Sequence, residues 1–257
     1  MMEAYGHDFA GALRGRAYWR FIVTRFGRIY PLHFFTLLVM AGLLLAGWRV
    51  ANPPGSFAAS LVLVQGFTFV PFVWNAPAWS ISTEWYVYLL FPLMVPLMTR
   101  LPGAVLRVLW LAVALVVAYF FVGDELQDWP LHRLLVCLAE FTLGCLTHRL
   151  VRSGSWPLLR NRALATVVFV APIVLLALPQ RFDGGWLHAV VAVGFGLSIG
   201  VIAAEETLVD GVLAGRVLQA LGLISYSIYL DHEILYSLAG SAADAYTGHA
   251  HTLRPPQ

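Results

Sequence analysis

Three groups of residues in this sequence have types and spacings suited to chemistry. The first is Glu84, within WSISTEWYVYLLFPLM at residues 79–94, a stretch apolar enough for a bilayer. Ser80, Glu84 and Tyr88 recur every four residues, so they share one face of a helix. A charge at membrane depth is costly and normally faces a cavity or a partner. Glu84 is therefore read as a general base, a proton relay or the orienter of a histidine. The alternative is a structural carboxylate paired with an arginine near the headgroups.

The second group is RFGRIYP, residues 25–31. Arg25 and Arg28 are three apart, so on a helix they point the same way. Guanidiniums grip phosphates bidentately, which suits the phosphates of a nucleotide-like donor. The competing reading is a basic anchor on anionic lipid headgroups. The third group is LGLISYSIYLDHEILY, residues 221–236. Ser225, Tyr229, His232 and Tyr236 form one polar stripe, with Asp231 and Glu233 beside His232. That stripe either lines a site, with His232 shuttling protons, or marks the water-facing end of a helix.

Weaker signals lie elsewhere. Glu140, Gly144 and His148 share a helical face, and His33 sits just inside an apolar span. His249 and His251 form an HxH pair, too few ligands for a metal site, so none is expected. The sequence has no GxSxG, GxGxxG or Walker motif. All sixteen basic residues are arginine, which excludes a lysine Schiff base and a P-loop lysine. A net charge of +2 gives no general polyanion signal, so no nucleic-acid partner is expected.

The elements that must hold these groups are membrane helices. Of 257 residues, 60% are hydrophobic and 12% charged, and the mean hydropathy is +0.75. That leaves too little polar surface for a water-soluble domain. Apolar spans fall at 30–47, 57–73, 79–98, 104–122, 132–150, 163–180, 186–203 and 218–240. Most approach the ~20 residues that cross a bilayer. The expected fold is all-α: a polytopic bundle of about seven to eight spans, read as one integral membrane domain over 1–257. Residues 1–28 read as a basic cytoplasmic leader without an apolar signal region, and 244–257 as a loose tail. Cys137 and Cys145 are ~12 Å apart on one helix, too far for a disulfide.

Charge asymmetry orients the spans. Arg14, Arg16, Arg20, Arg25 and Arg28 precede the first span, and Arg149, Arg152, Arg160 and Arg162 form a second basic cluster. Both belong on the cytoplasmic side, while Asp124, Glu125 and Asp128 fit outside. Both clusters can lie inside only if one early span fails to cross. The candidate is 57–73, broken by Gln65, Gly66 and Pro71, and read as re-entrant.

These motifs, in this order, resemble the membrane-bound acyltransferase family 3, the O-acyltransferases of bacterial polysaccharide modification. The family's Arg-x-x-Arg followed by Ile-Tyr-Pro is matched by Arg25, Arg28 and Ile29-Tyr30-Pro31. Its Trp-Ser-x-Ser-x-Glu and Tyr-x-x-Phe-Pro are matched by Trp79, Ser80, Ser82 and Glu84, then by Tyr88, Phe91 and Pro92. Its last helix is matched by Gly222, Ser225, Tyr226, Tyr229, Leu230 and His232. The likeness covers roughly 14–240.

The resemblance implies transfer of an acyl group, often acetyl, from a cytoplasmic donor such as acyl-CoA to a carbohydrate hydroxyl. It implies an inner bacterial membrane, membrane lipid and a carbohydrate acceptor as partners, and acyl-CoA as co-substrate with no bound cofactor. Glu84 becomes the catalytic carboxylate and Arg25 and Arg28 the donor-binding pair. Ser80, Ser82, Tyr88, Ser225, Tyr229 and His232 become site-lining residues. The family also carries two earlier helices, the first with an arginine and, about ten residues on, a histidine held to be catalytic. This sequence starts after that point, and His7 matches nothing there. The chain as written is therefore expected to lack that base. Asp231 also departs from the apolar or aromatic residue usual in the family. Set beside the enzyme are a proton-coupled transporter using Glu84 and His232, and a non-catalytic membrane subunit of a polysaccharide machine.

Overall fold

A computed structural model describes residues 1–11, 14–46, 55–67, 74–123, 127, 129–177, 185–203 and 207–247. Among these there are helices and no strand. They are α1 Met2–Phe9, α2 Gly15–Leu45, α3 Ser56–Leu61, α4 Trp79–Arg100, α5 Gly103–Val122, α6 His132–Arg152, α7 Arg162–Ala177, α8 Gly185–Ala203, α9 Asp210–Leu213 and α10 Arg216–Thr247. A short 3-10 turn, Ala76–Ala78, leads into α4, and a second, Pro157–Arg160, precedes α7.

Five helical stretches are long and apolar enough to cross a membrane: Gly15–Leu45, Ala76–Arg100, Gly103–Val122, His132–Arg152 and Gly185–Ile202. α7 has 16 residues, or ~24 Å, against a hydrocarbon core of ~30 Å. α10 is 32 residues long but carries Asp231, His232 and Glu233 in its length. Residues 1–28, read as a leader, hold α1 and the first half of α2. Helix begins well before the apolar span at 30 because the amphipathic start of α2 has a core to pack on. α10 runs to Thr247, past the expected start of the loose tail; the HxH pair and the rest of the tail lie outside the described residues.

The helices alternate in direction. Glu3 of α1 bonds His148 and Arg152 at the end of α6, and Arg100 at the end of α4 bonds the Gly11 carbonyl. Arg107 at the start of α5 reaches the Ser155 carbonyl, and Arg162 at the start of α7 reaches Thr207 ahead of α10. All these turns gather at one end of the bundle. Arg14–Arg20 and Arg149–Arg162, the two basic clusters, therefore lie at the same end, as the charge pattern required. α2 leads away from that end and α4 returns to it, so the segment between them makes no net crossing. Its described part is the six residues of α3 followed by turns through Phe67, with 68–73 outside the described residues. A six-residue helix spans only ~9 Å, which fits the broken element expected at 57–73. The acidic positions 124, 125 and 128 also lie outside the described residues.

The core is aromatic. Phe9, Phe21, Phe91 and Phe141 meet edge to face or tilted, with ring centroids 5.5–6.3 Å apart. They join α1, α2, α4 and α6. α4 is the central post: half of its apolar window is buried, against 17% for α5, whose Leu111, Leu115 and Tyr119 face outward. α8 lies close against α6 because Gly196 and Gly200 present no side chain there. A Cβ on Gly196 would come 2.8 Å from Leu143 and one on Gly200 2.2 Å from Thr147. Small residues four apart are how membrane helices approach without a hydrophobic drive between them.

Candidate functional site

The Glu84 face of α4 is built as the periodicity predicts. The Tyr88 hydroxyl donates to the Glu84 carboxylate one turn away. The Ser80 hydroxyl donates to the Pro77 carbonyl at 2.9 Å and stabilises the entry to the helix. Ser82 sits off this face, buried, with its hydroxyl on the Leu63 carbonyl. It fastens the broken 55–67 segment rather than lining the Glu84 face. Gly66 presses on the same spot, where a Cβ would come 2.9 Å from both Ser82 Oγ and the Trp79 carbonyl.

Arg25 and Arg28 take different places. Arg25 is buried, its guanidinium 4.6 Å from the Tyr5 ring centre, 5.6 Å from Phe21 and 5.7 Å from Tyr88. This is a cation held against aromatic faces. Arg28 is exposed one turn further along α2. Antiparallel packing brings both beside α4: Tyr18 bonds the Leu89 carbonyl, and Phe26 lies edge-on to Trp85 at 5.4 Å. Tyr88 thus lies between Glu84, which its hydroxyl bonds, and the Arg25 guanidinium beside its ring.

α10 joins through Tyr226. Its hydroxyl donates to the Ile29 carbonyl at 2.7 Å, and Glu84 and Arg28 both act electrostatically on it. Tyr229 reaches the Pro77 carbonyl at 3.3 Å. Ser225 and His232 are exposed and bond carbonyls of their own helix, Gly222 at 2.8 Å and Tyr229 at 2.6 Å. So the fold brings together Arg25, Arg28, Glu84, Tyr88 and Tyr226, with Ser80 and Tyr229 at the margin. It leaves Ser82, Ser225 and His232 apart. Sequence reasoning missed Tyr226 as a site residue and Tyr5 altogether. Tyr226 stood inside a motif; Tyr5 had no signal, since its contact with Arg25 depends on α1 folding back.

The α6 face of Glu140, Gly144 and His148 lines a cavity of about 260 Å³, closed on one side by Met1, Met2 and Glu3. His148 Nε2 lies 2.7 Å from the Glu3 carboxylate, and Arg152 reaches the other oxygen at 2.6 Å. The His148 hydrogen bond, with Arg152 in support, holds the Glu3 carboxyl below the usual carboxylate range. Cys137 and Cys145 are both free thiols on α6.

A family model covers nearly the whole chain. The model for the acyltransferase-3 domain, described as an acyltransferase domain, aligns with residues 8–253. The chain belongs to acyltransferase family 3. A curated relative, acyltransferase MdmB of Streptomyces mycarofaciens, is 29% identical over 84% of this chain and 60% of its own length. The chain thus spans about three-fifths of that relative. No solved structure matches it. Family membership and helices apolar enough to span a bilayer make this an integral membrane protein.

Proposed function

We propose that this chain holds the site of a membrane O-acyltransferase that moves an acyl group, acetyl in the first instance, from acyl-CoA to a carbohydrate hydroxyl. The observation that carries the reading is the meeting of one carboxylate, two guanidiniums and two phenols from three distant motifs at one level of the bundle. Arg28, the exposed one of the pair, takes a donor phosphate; Arg25, buried one turn before it, adds positive potential. Both lie toward the end where the basic turns gather, which the reading places in the cytoplasm of a bacterial inner membrane.

Each residue then has a task. A hydroxyl is a poor nucleophile at neutral pH and must lose its proton as it attacks. Glu84 takes up that proton, with Tyr88 holding the carboxylate in position. The acceptor oxygen forms a bond to the thioester carbonyl carbon, the carbon–sulfur bond breaks, and the thiol leaves with a proton. The oxyanion that develops in between is stabilised by the nearby cations.

The test is transfer of radiolabelled acetyl from acetyl-CoA into membrane carbohydrate by membranes carrying the full chain. Glu84→Gln is expected to cost at least ~100-fold, the usual weight of acid–base catalysis. Arg28→Ala is expected to raise the KM for acetyl-CoA with little change in kcat. Undiminished transfer in Glu84→Gln, at equal protein level, would refute the assignment.

A further inference from the structure

Beside the broken segment between α2 and α4 lie polar atoms without partners among the described residues. His33 Nδ1, Ser60 Oγ, Gln65 Oε1 and Asn75 Oδ1 are all buried and none has a hydrogen bond. The four residues are 0–2% exposed. Buried polar groups are almost always satisfied, so a cluster of four needs a cause.

Their free valences are defined by the bonds they do make. His33 Nε2 is 2.9 Å from the Ser60 carbonyl, which can only accept, so Nε2 carries the proton. In the neutral ring Nδ1 is then an acceptor. The Gln65 amide donates to the Ala78 carbonyl at 3.0 Å and the Asn75 amide to the Leu230 carbonyl at 3.0 Å. Ala78 in turn donates to the Asn75 carbonyl, so both amides sit on one turn. Their side-chain carbonyls are left as acceptors. The set is three acceptors and one hydroxyl, with no charge among them.

The backbone adds an independent sign. Two non-glycine residues among those described have positive φ, Leu63 at 58° and Trp74 at 44°, and they flank this cluster. Such strain collects at ligand clamps and active sites. The segment packs on the start of α4, through Ser82 and Trp79.

We propose that this uncharged cluster binds the hydroxyl groups of a polyol ligand, each acceptor taking one O–H. Cations are disfavoured because no carboxylate stands among the four, and anions because three of the four atoms are acceptors. The assignment of that ligand as the acyl acceptor rests on the function proposed above; the binding itself does not.

The experiment uses the purified full chain in phosphatidylglycerol nanodiscs, without any acyl donor. Octyl β-D-glucoside, below the level that dissolves the disc, is compared with its permethylated form, which has the same ring and tail but no O–H. Octyl glucoside is expected to raise the unfolding temperature in proportion to the logarithm of its concentration, and the permethylated form is not. Ser60→Ala removes an unpartnered hydroxyl, so it should unfold at or above the wild-type temperature while losing most of the response. Ser60→Cys should behave the same way. No response in the wild type, an equal response to both probes, or an undiminished response in Ser60→Ala would each overturn the proposal. So would a lower unfolding temperature for unliganded Ser60→Ala and Ser60→Cys, which would show the hydroxyl satisfied without ligand. Because no transfer is read, failure here leaves the Glu84 assignment standing, and failure of Glu84→Gln leaves this one standing.

Discussion

α4 and α10 carry polar stripes of the same helical period, yet they end in different surroundings. On α4, half-buried Glu84 and buried Tyr88 bond each other beside Arg25, and Tyr88 packs into a core shared by α1, α2 and α6. On α10, Ser225 and His232 stay exposed and turn to carbonyls of their own helix. Among the described residues, Tyr226, Tyr229 and Leu230 of that stretch hydrogen-bond to other parts of the bundle. The difference teaches that periodicity identifies a face and not what covers it. A polar face becomes a site where other helices supply countercharge and remove solvent, as α2 does with its arginines and α1 and α6 do by packing around α4.

The comparison can be broken most sharply through packing. Phe91 of α4 is fully buried against three aromatic rings. Phe91→Ala should cost about 3–5 kcal/mol of unfolding free energy. Leu223→Ala on the exposed face of α10 should stay within ~0.5 kcal/mol. Equilibrium unfolding in a mild detergent reads both, and equal losses would mean that α10 is as embedded as α4.

Chemistry sharpens it next. Against the large loss expected for Glu84→Gln, His232→Gln should change acetyl transfer by no more than roughly fivefold, about 1 kcal/mol of barrier. A collapse comparable to Glu84→Gln would make the α10 stripe part of the reacting site. A smaller effect tests the bridge between the helices. Tyr226→Phe removes the bond to the Ile29 carbonyl and should cost about 1 kcal/mol of stability, with the KM for acetyl-CoA rising more than kcat falls.

The smallest effect lies outside the membrane helices, at Glu3. Its carboxyl is held below the usual range in the folded chain, chiefly by His148. The stabilisation is therefore present above the ordinary carboxylate pKa and is lost as pH falls through the lowered one. Acidification from about pH 5 to about pH 3 should loosen α1. Protease cleavage near α1 should rise over that window in the wild type, and Glu3→Gln should remove the dependence.

Much of this architecture was legible in the chain. Apolar spans alone predicted an all-α membrane bundle, and the arginine clusters, if both are cytoplasmic, called for one early span that does not cross. Both follow from short-range physics: a bilayer demands long apolar helices, and charge sorts their ends. The Ser80–Glu84–Tyr88 face was also local, a matter of helical period. The split between Arg25 and Arg28 was not. Residues three apart share a direction, but Tyr5 covers one and leaves the other open, and α1 reaches Arg25 only by folding back across the bundle. Likewise Gln65 looked like an interruption in an apolar run, and nothing in the sequence marked Asn75. That they are buried with unmet acceptors depends on Ala78 and Leu230, the second 155 positions away from Asn75. Sequence by itself determined which residues form helices and which faces are polar, because those depend on neighbours a turn apart. Tertiary structure alone decided which polar faces are covered, because burial is set by helices that meet from distant parts of the chain.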